Sequence, residues 1–106
     1  MITTTTETIH GKKIDKTIGL VRGNTIRARH VGRDIMAAIR TLIGGEITEY
    51  TKLMAEAREQ ALDRMEDEAK RMGANAIVGV RFSTSVVLGG AAELLAYGTG
   101  VVISDD

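Results

Sequence analysis

The fold of this chain is decided by the stretch Glu68-Ala69-Lys70-Arg71-Met72-Gly73-Ala74-Asn75-Ala76-Ile77-Val78-Gly79-Val80. Charged residues at helical spacing fill its first half, and β-branched apolar residues mark its second half. Gly73 separates the two halves, and glycine is the usual residue just past the end of a helix. The stretch therefore predicts a helix that ends and a buried strand that begins within a few residues. It contains no nucleophile and no metal-binding cluster, so it indicates architecture and no chemistry.

A long amphipathic helix is predicted before Gly73, from about Thr48 to Met72. Apolar or small residues recur there every three or four positions, which keeps them on one helical face. The opposite face is charged and includes two pairs at i,i+4 spacing, Glu66 with Lys70 and Asp67 with Arg71. The apolar stripe consists of Ile47, Tyr50, Met54, Ala57, Ala61, Met65, Ala69 and Met72.

Two strands and a shorter helix are predicted upstream. The threonine-rich segment 2–9 favours a polar edge strand, and Gly11 favours a turn after it. Apolar residues at period two then predict a long strand, namely Ile14, Ile18, Leu20, Ile26 and Ala28. Gly23-Asn24 interrupts this pattern as a bend, a bulge or a tight hairpin turn, and a bent strand is the favoured interpretation. The shorter helix begins at Gly32 or Asp34 and ends at Gly44-Gly45.

Two further strands are predicted after the long helix. Val78, Val80, Phe82 and Val86 alternate with small or polar residues, which is typical of a strand with one buried face. Gly89-Gly90 predicts a hairpin turn into the last strand. Gly98 and Gly100 share one face of that strand, which indicates close approach by another group.

The predicted order is therefore β-β-α-α-β-β. Segregated runs of strands and helices favour an α+β fold, with an antiparallel or mixed sheet and one long and one short helix on one face. The length of 106 residues fits a single domain over residues 1–106.

Composition excludes several classes of protein. Lys plus Arg and Asp plus Glu both number 14, so no basic excess favours nucleic acid. The first half of the chain is basic and the second half acidic, which indicates differently solvated faces or charge complementarity between subunits. There is no cysteine, and no apolar run is long enough to span a membrane. The amino-terminal residues do not resemble a signal peptide, so a cytoplasmic protein is expected.

Candidate metal ligands are sparse. His10 and His30 lie far apart, and Asp34 is the carboxylate that could converge with His30 at the start of the shorter helix. No third or fourth ligand appears at a recognisable spacing. Surface histidines are the more common interpretation of such a pattern. In a ring, however, one ligand from each subunit could form a site on the symmetry axis.

A candidate anion site is formed by Arg27, Arg29 and Arg33, the densest basic cluster in the chain. No aromatic side chains interleave these arginines, so base stacking is not indicated. They could hold a small anion or pair with the acidic helix of a neighbouring subunit. The serines lack a nearby histidine and a nucleophile elbow, so no catalytic residues are predicted.

Several short sequence motifs, taken in their order along the chain, resemble those of the YbjQ family. The first of these motifs are residues 1–6, Ile9-His10-Gly11-Lys12 and Gly19-Leu20-Val21-Arg22-Gly23. Later ones are Arg33-Asp34-Ile35, Ile43-Gly44-Gly45, Tyr50, Ala57-Arg58-Glu59-Gln60-Ala61, Gly73–Val80 and Gly98-Thr99-Gly100-Val101.

The resemblance implies a dodecin-like α+β subunit in a homopentameric ring, of unknown function but sometimes catalogued as heavy-metal-binding. It supplies no catalytic residues and no known cofactor. Asn24 stands where the family usually has an acidic residue after the glycine.

Three functions follow as hypotheses. The first is a non-enzymatic, ring-forming binding or scaffolding protein whose partner is itself. The second is metal binding or sequestration through symmetry-related histidine and carboxylate ligands. The third is an enzyme that acts on a small anionic metabolite between subunits. The missing catalytic residues and the polar edge strand favour the first.

Overall fold

The computed structural model describes residues 1–27, 48–86 and 92–106. Its elements are β1 (Ile2–Thr3), β2 (Lys12–Arg27), α1 (Thr48–Arg71), β3 (Ala76–Val86) and β4 (Ala92–Asp105). These elements confirm the predicted α+β class and the predicted bounds of the long helix. The shorter helix predicted up to Gly44-Gly45 and the turn at Gly89-Gly90 lie outside the described residues.

The four described strands form one mixed sheet in the order β1-β3-β4-β2. β1 runs parallel to β3, whereas β3, β4 and β2 pair antiparallel. The amino-terminal strand lies at an edge, as predicted, but it is only two residues long. Beyond it the chain still follows β3, because the Thr4 amide donates to the Ile77 carbonyl and the Val80 amide donates to the Thr4 carbonyl, at 2.9 and 3.0 Å.

The helix α1 ends as the sequence predicts, at Gly73. This glycine has a φ of +93°. The Gly73 amide donates to the Lys70 carbonyl and the Ala74 amide donates to the Ala69 carbonyl, which is the Schellman arrangement. Met72 therefore leaves the apolar stripe and is 44% exposed, so its predicted place on the buried face is wrong.

Asn75 ties the start of β3 to β4. Its side-chain amide donates to the Ile103 carbonyl at 3.0 Å, and its side-chain oxygen accepts a hydrogen bond from the Ile103 amide at 2.7 Å. Its own backbone amide donates to the Val101 carbonyl at 3.0 Å. Asn75 thus extends the pairing of the two strands by one position, which is a structural role.

β2 passes through Gly23-Asn24 without a break, so the hairpin alternative is wrong and a continuous strand is observed. The register shifts in β2 occur earlier, between Ile14 and Lys16 and between Thr17 and Gly19. Gly23 instead makes room for α1. A β-carbon at this position would lie 2.3 Å from the Met65 backbone nitrogen.

The face of β2 that meets the helix carries small residues rather than the predicted apolar set. Val21 and Thr25 are buried, whereas Leu20 is 59% and Ile26 is 62% exposed. The reason is the close approach of the helix at Gly23, which leaves space only for small side chains on that face. Leu20 and Ile26 therefore point to the outer face of the sheet, whereas Ile18 packs against the main core.

β3 also departs from simple alternation. Its register against β4 shifts between Val78 and Arg81, and Gly79 in this segment has a φ of +63°. Because of this bulge, Val78 and Val80 are both buried but belong to separate apolar clusters. Phe82 is 45% exposed, so the prediction that all four apolar residues share a buried face is wrong.

The main core lies between α1 and the sheet. Its buried members are Val21, Ala57, Ala61, Met65, Ala69, Ala74, Ile77, Val80, Leu94 and Ala96. The glycines of β4 are part of this packing, as predicted. A β-carbon on Gly98 would lie 2.9 Å from Ile77 Cγ2, and one on Gly100 would lie 3.1 Å from Val21 Cγ1. A smaller cluster of Ala76, Val78 and Val101 is packed by Ile9 and Ile103.

Candidate functional site

Most of the metal ligands predicted from the sequence cannot be placed. His30 and Asp34 lie outside the described residues. His10 is exposed in the turn that precedes β2. The described part of the chain holds no group of three or more histidine, cysteine, aspartate or glutamate side chains that could hold a metal ion. Within the described residues, a ligand set for a heavy metal is therefore not assembled.

The anion site predicted from three arginines can be placed only in part. Arg29 and Arg33 lie outside the described residues, and Arg27 is the last residue of β2, where its backbone pairs with Ala92. The predicted site stays a prediction.

A different set of arginines lines an open space at the edge of β2. Arg22 comes from the strand, and Arg64 and Arg71 come from α1. Together with Gly23, Asn24, Asp67 and Glu68 they line an open cleft of about 250 Å³, which we call the arginine cleft. Its helical members are Arg64, Asp67, Glu68 and Arg71, whose spacings of three, four and seven place them on one face of the helix.

Arg64 is anchored within this cleft. One of its terminal nitrogens, Nη1, donates to the Asn24 carbonyl at 2.6 Å. The Asn24 side-chain amide in turn donates to Glu93 at 3.1 Å. The Arg64 guanidinium therefore links α1 to the backbone of β2.

The charged residues that line the arginine cleft form no ion pairs with one another in the described structure. The ion pairs found among the described residues are Lys12 with Asp105 and Lys13 with Asp15, so the predicted pairs on α1 are not formed. Glu66 accepts a hydrogen bond from the Thr3 hydroxyl at 3.0 Å instead. Three guanidinium groups and two carboxylates leave the cleft with one excess positive charge.

Sequence reasoning missed the arginine cleft because its members are separated by about forty residues. The helical spacing of Arg64 and Arg71 was visible, but nothing in the sequence placed Arg22 beside them. Gly23 was the available signal, because a glycine inside a strand often marks the close approach of another element.

The outer face of the sheet is the second notable surface. Ile14, Leu20 and Ile26 are exposed there, and the described residues place no helix over them. The paired residues of β4 on the same face include Leu95 and Tyr97, which are partly exposed. A strand at the margin of a sheet with large exposed apolar side chains is typical of an association surface.

One ion pair outside both surfaces has a clear electrostatic effect. The Lys12 ammonium donates to the Asp105 carboxylate, which fastens the start of β2 to the end of β4. This hydrogen bond, with the accompanying attraction of the opposite charges, lowers the pKa of Asp105 below its ordinary value of 3.8. Both groups are accessible to solvent, so salt screens the pair.

Within the described residues, no helix is both long and apolar enough to cross a membrane. The fold and its surfaces define a small α+β protein with a mixed sheet, a helix packed on one face and an open apolar margin. The chain belongs to the YbjQ family, which is described as "Putative heavy-metal-binding" and matches residues 1–104.

Curated relatives agree with this assignment, and one solved structure shares the fold. The chain is 58% identical over 103 residues to a UPF0145 protein of Methanosarcina acetivorans, with 97% of each chain covered. It is 59% identical over 103 residues to a UPF0145 protein of Dehalococcoides mccartyi, covering 97% of this chain and 99% of the other. The crystal structure of a Pediococcus pentosaceus protein of unknown function, from the DUF74 family, matches with a TM-score of 0.54 at 20% identity, over 100% and 98% of the two chains. This last similarity shows the fold alone.

Proposed function

We propose that this chain is the subunit of a homo-oligomeric ring, a homopentamer as the family resemblance implies, that acts as a non-enzymatic binding or scaffolding protein. The observation that carries the proposal is the orientation of β2. Leu20 and Ile26 are more than half exposed on an edge strand, while the small residues between them meet the helix. Covering such side chains is worth roughly 25 cal/mol for each Å² removed from water.

The dimensions of the subunit support association. The radius of gyration is 17.1 Å, whereas a compact domain of this length has about 13 Å. The largest extent is 55 Å, which corresponds to the length of β2 at about 3.3 Å per residue. An elongated subunit buries less of its own apolar surface than a sphere, so contact with other copies offers additional burial.

In this proposal a second copy of the chain covers the outer face of the sheet. Residues 1–53 carry nine basic and five acidic side chains, and residues 54–106 carry five and nine, so the halves have charges of +4 and −4. β2 belongs to the basic half and most of α1 to the acidic half. Head-to-tail contacts between unlike surfaces close into rings when the rotation permits.

Native mass spectrometry and light scattering at micromolar concentration test the proposal. The subunit mass is 11.4 kDa, and a single closed multiple of that mass, five for a pentamer, is expected. A monomer would overturn the proposal, and an open-ended series of masses would overturn the ring. A location in the cytoplasm stays a prediction.

Metal binding is the second candidate, and the description of the family supports it. Because the described residues hold no complete ligand set, such a site would need ligands from several subunits. Calorimetric titration with zinc, nickel and copper would test it, using His10→Ala and His30→Ala. No saturable uptake, or uptake unchanged in both variants, would rule this candidate out.

A further inference from the structure

Among the described residues, the chain covers the outer face of its own sheet at one end. There Ile9, from the turn before β2, packs with Ile103 against the small cluster of Ala76, Val78 and Val101. At the other end Leu20 and Ile26 of β2 are more than half exposed, and no helix among the described elements lies over this face. We call the part of the outer face between Leu20 and Ile26 the open half.

The row of side chains nearest Leu20 in the open half is positively charged. The strand register places Arg22 of β2 beside Tyr97 of β4, and Tyr97 beside Arg81 of β3. Both arginines are exposed, and neither forms an ion pair within the described residues. One nitrogen of Arg81 donates to the carbonyls of Thr5 and Val80, at 2.9 and 2.8 Å, which fixes the position of its guanidinium group.

A negative charge lies two rows further along the open half. Glu93 of β4 is placed beside Ile26 of β2 and Ser85 of β3. It accepts a hydrogen bond from the Asn24 side-chain amide at 3.1 Å and forms no ion pair with a described residue. Because Glu93 and Tyr97 are four residues apart in β4, the negative and positive rows are about 13 Å apart. The open half therefore has a positive end and a negative end.

This distribution of charge makes the open half complementary to itself. The row between the two charged ones is Asn24-Leu95-Ser83. When two open halves pack face to face about a two-fold axis that follows this row, the positive row of each copy meets the negative row of the other. Glu93 then lies over Tyr97 of the partner subunit and between its two arginines. A two-fold axis along the strands would instead oppose Arg22 to Arg81 of the partner subunit, and these charges repel.

We propose that two copies of the chain pair through their open halves about the axis that crosses the strands, with Glu93 of each copy held between Arg22 and Arg81 of the other. This inference rests on the proposed function, in which a second copy covers the outer face, and it states which surface of that copy does so. A two-fold contact cannot by itself close a ring with an odd number of subunits. It therefore joins two rings, while head-to-tail contacts hold each ring together.

The size of the open half makes a single contact weak. The distance from Leu20 to Ile26 is about 20 Å along β2, and β2 and β3 are about 10 Å apart across the sheet. One pair of subunits therefore buries less than the roughly 800 Å² per partner of a stable interface. Between two rings the contact is repeated for every subunit, and the repeated contacts reinforce one another. Pairing is thus expected to depend on protein concentration and, through its charges, on salt.

Analytical ultracentrifugation of the full chain over a wide concentration range tests the pairing. We expect the mass of one ring at low concentration and twice that mass at high concentration, with less doubling in high salt. A ring whose mass never doubles would overturn the pairing and leave the proposed ring intact. A dimer that grows no further would support the pairing and overturn the ring. A monomer at every concentration would overturn both.

Charge reversal identifies the residues in contact. Arg22→Glu should weaken the doubling by about tenfold or more, and Glu93→Arg should weaken it further, because the new arginine faces two others. Adding Arg22→Glu to Glu93→Arg should recover part of that loss. Arg58→Glu is the matched control, because Arg58 is exposed on α1 and the change of charge is the same. Equal losses in Arg22→Glu and Arg58→Glu, or no recovery in the double variant, would overturn the proposal.

Cross-linking tests the orientation of the two copies. The chain has no cysteine, so a single introduced thiol reports on one position. Ser83 lies on the proposed axis and faces its own copy, whereas Ser85 faces Arg81 of the partner subunit; both serines are exposed. Packed sheets are about 10 Å apart, so a short bismaleimide should link Ser83→Cys to itself efficiently and Ser85→Cys poorly. Equal linking at both positions, in variants whose circular dichroism matches the wild type, would overturn the proposed axis.

Discussion

Gly23 of β2 lies directly against Ala61 of α1, since a β-carbon on Gly23 would lie 2.4 Å from the Ala61 carbonyl oxygen. The same β-carbon would lie 2.3 Å from the Met65 nitrogen and 2.7 Å from the Arg64 carbonyl carbon, which are also backbone atoms. This contact sets the distance between helix and sheet. It thereby decides which face of β2 can be buried and brings Arg64 to the Asn24 carbonyl.

Gly23→Ala should destabilise the protein severely. The added methyl group meets helix backbone, which cannot rotate away as a side chain could, so the helix must shift. We expect a loss of about 3 kcal/mol or more in the free energy of unfolding, at the upper end for overpacked cores. Urea denaturation followed by circular dichroism, at fixed protein concentration, measures it.

The control for that variant is Asn24→Ala, one residue along the strand. Its side chain is exposed and makes a hydrogen bond to Glu93, so we expect a change of about 0.5 kcal/mol or less. Similar losses in both variants would contradict the claim that the glycine contact holds the helix.

Met65→Ala should leave a cavity between helix and sheet. Met65 is fully buried and is among the largest side chains of the core. We expect a loss of about 2–5 kcal/mol in the free energy of unfolding. Met72→Ala is the matched control, because Met72 is 44% exposed beyond the end of α1 and should lose much less. The order of the two losses would be reversed if the helix were rotated.

Asp105→Asn should lower the unfolding midpoint only where Asp105 is ionised. The hydrogen bond from Lys12 lowers the pKa of Asp105 in the folded state. The stabilisation is therefore complete above the unfolded-state pKa and is lost as the pH falls through the folded-state pKa. We expect a small difference from the wild type near neutral pH that disappears in acid and shrinks in high salt.

Asp106→Asn is the control for the pH experiment. It removes a neighbouring carboxylate that forms no ion pair with the described residues. Thermal unfolding across a pH series should show no comparable difference for this variant. A difference for Asp105→Asn that persisted in acid would argue against the ion pair as its origin.

Leu20→Lys should impair self-association and leave the subunit folded. Leu20 is 59% exposed on the outer face, so the charge costs the isolated subunit little but would be buried in an assembly. Light scattering should report a smaller mass at the same concentration. Gln60→Lys adds the same charge on the exposed surface of α1 and should keep the wild-type mass. If both variants assemble normally, the outer face of β2 is not the contact surface.

The sequence predicted the elements whose signals are local. Gly73 ends the helix because only its own backbone conformation and the preceding turn matter. The span of β2 and the pairing of β3 with β4 followed from alternation and spacing. Alternation failed where a bulge intervened, as at Gly79, because one extra residue transfers the following side chains to the opposite face.

Two features were decided by tertiary structure alone. The pattern of β2 showed two faces but not which one meets the helix, because that choice depends on the fit of Gly23 beneath a backbone some forty residues away. Arg64 reaches the Asn24 carbonyl for the same reason. The sequence by itself determined the α+β class and the end of the helix, because both depend on patterns among neighbouring residues. It also determined the family, because the family is identified by sequence motifs in a fixed order. The outward orientation of Leu20 and the contact between Arg64 and Asn24 required packing between distant segments.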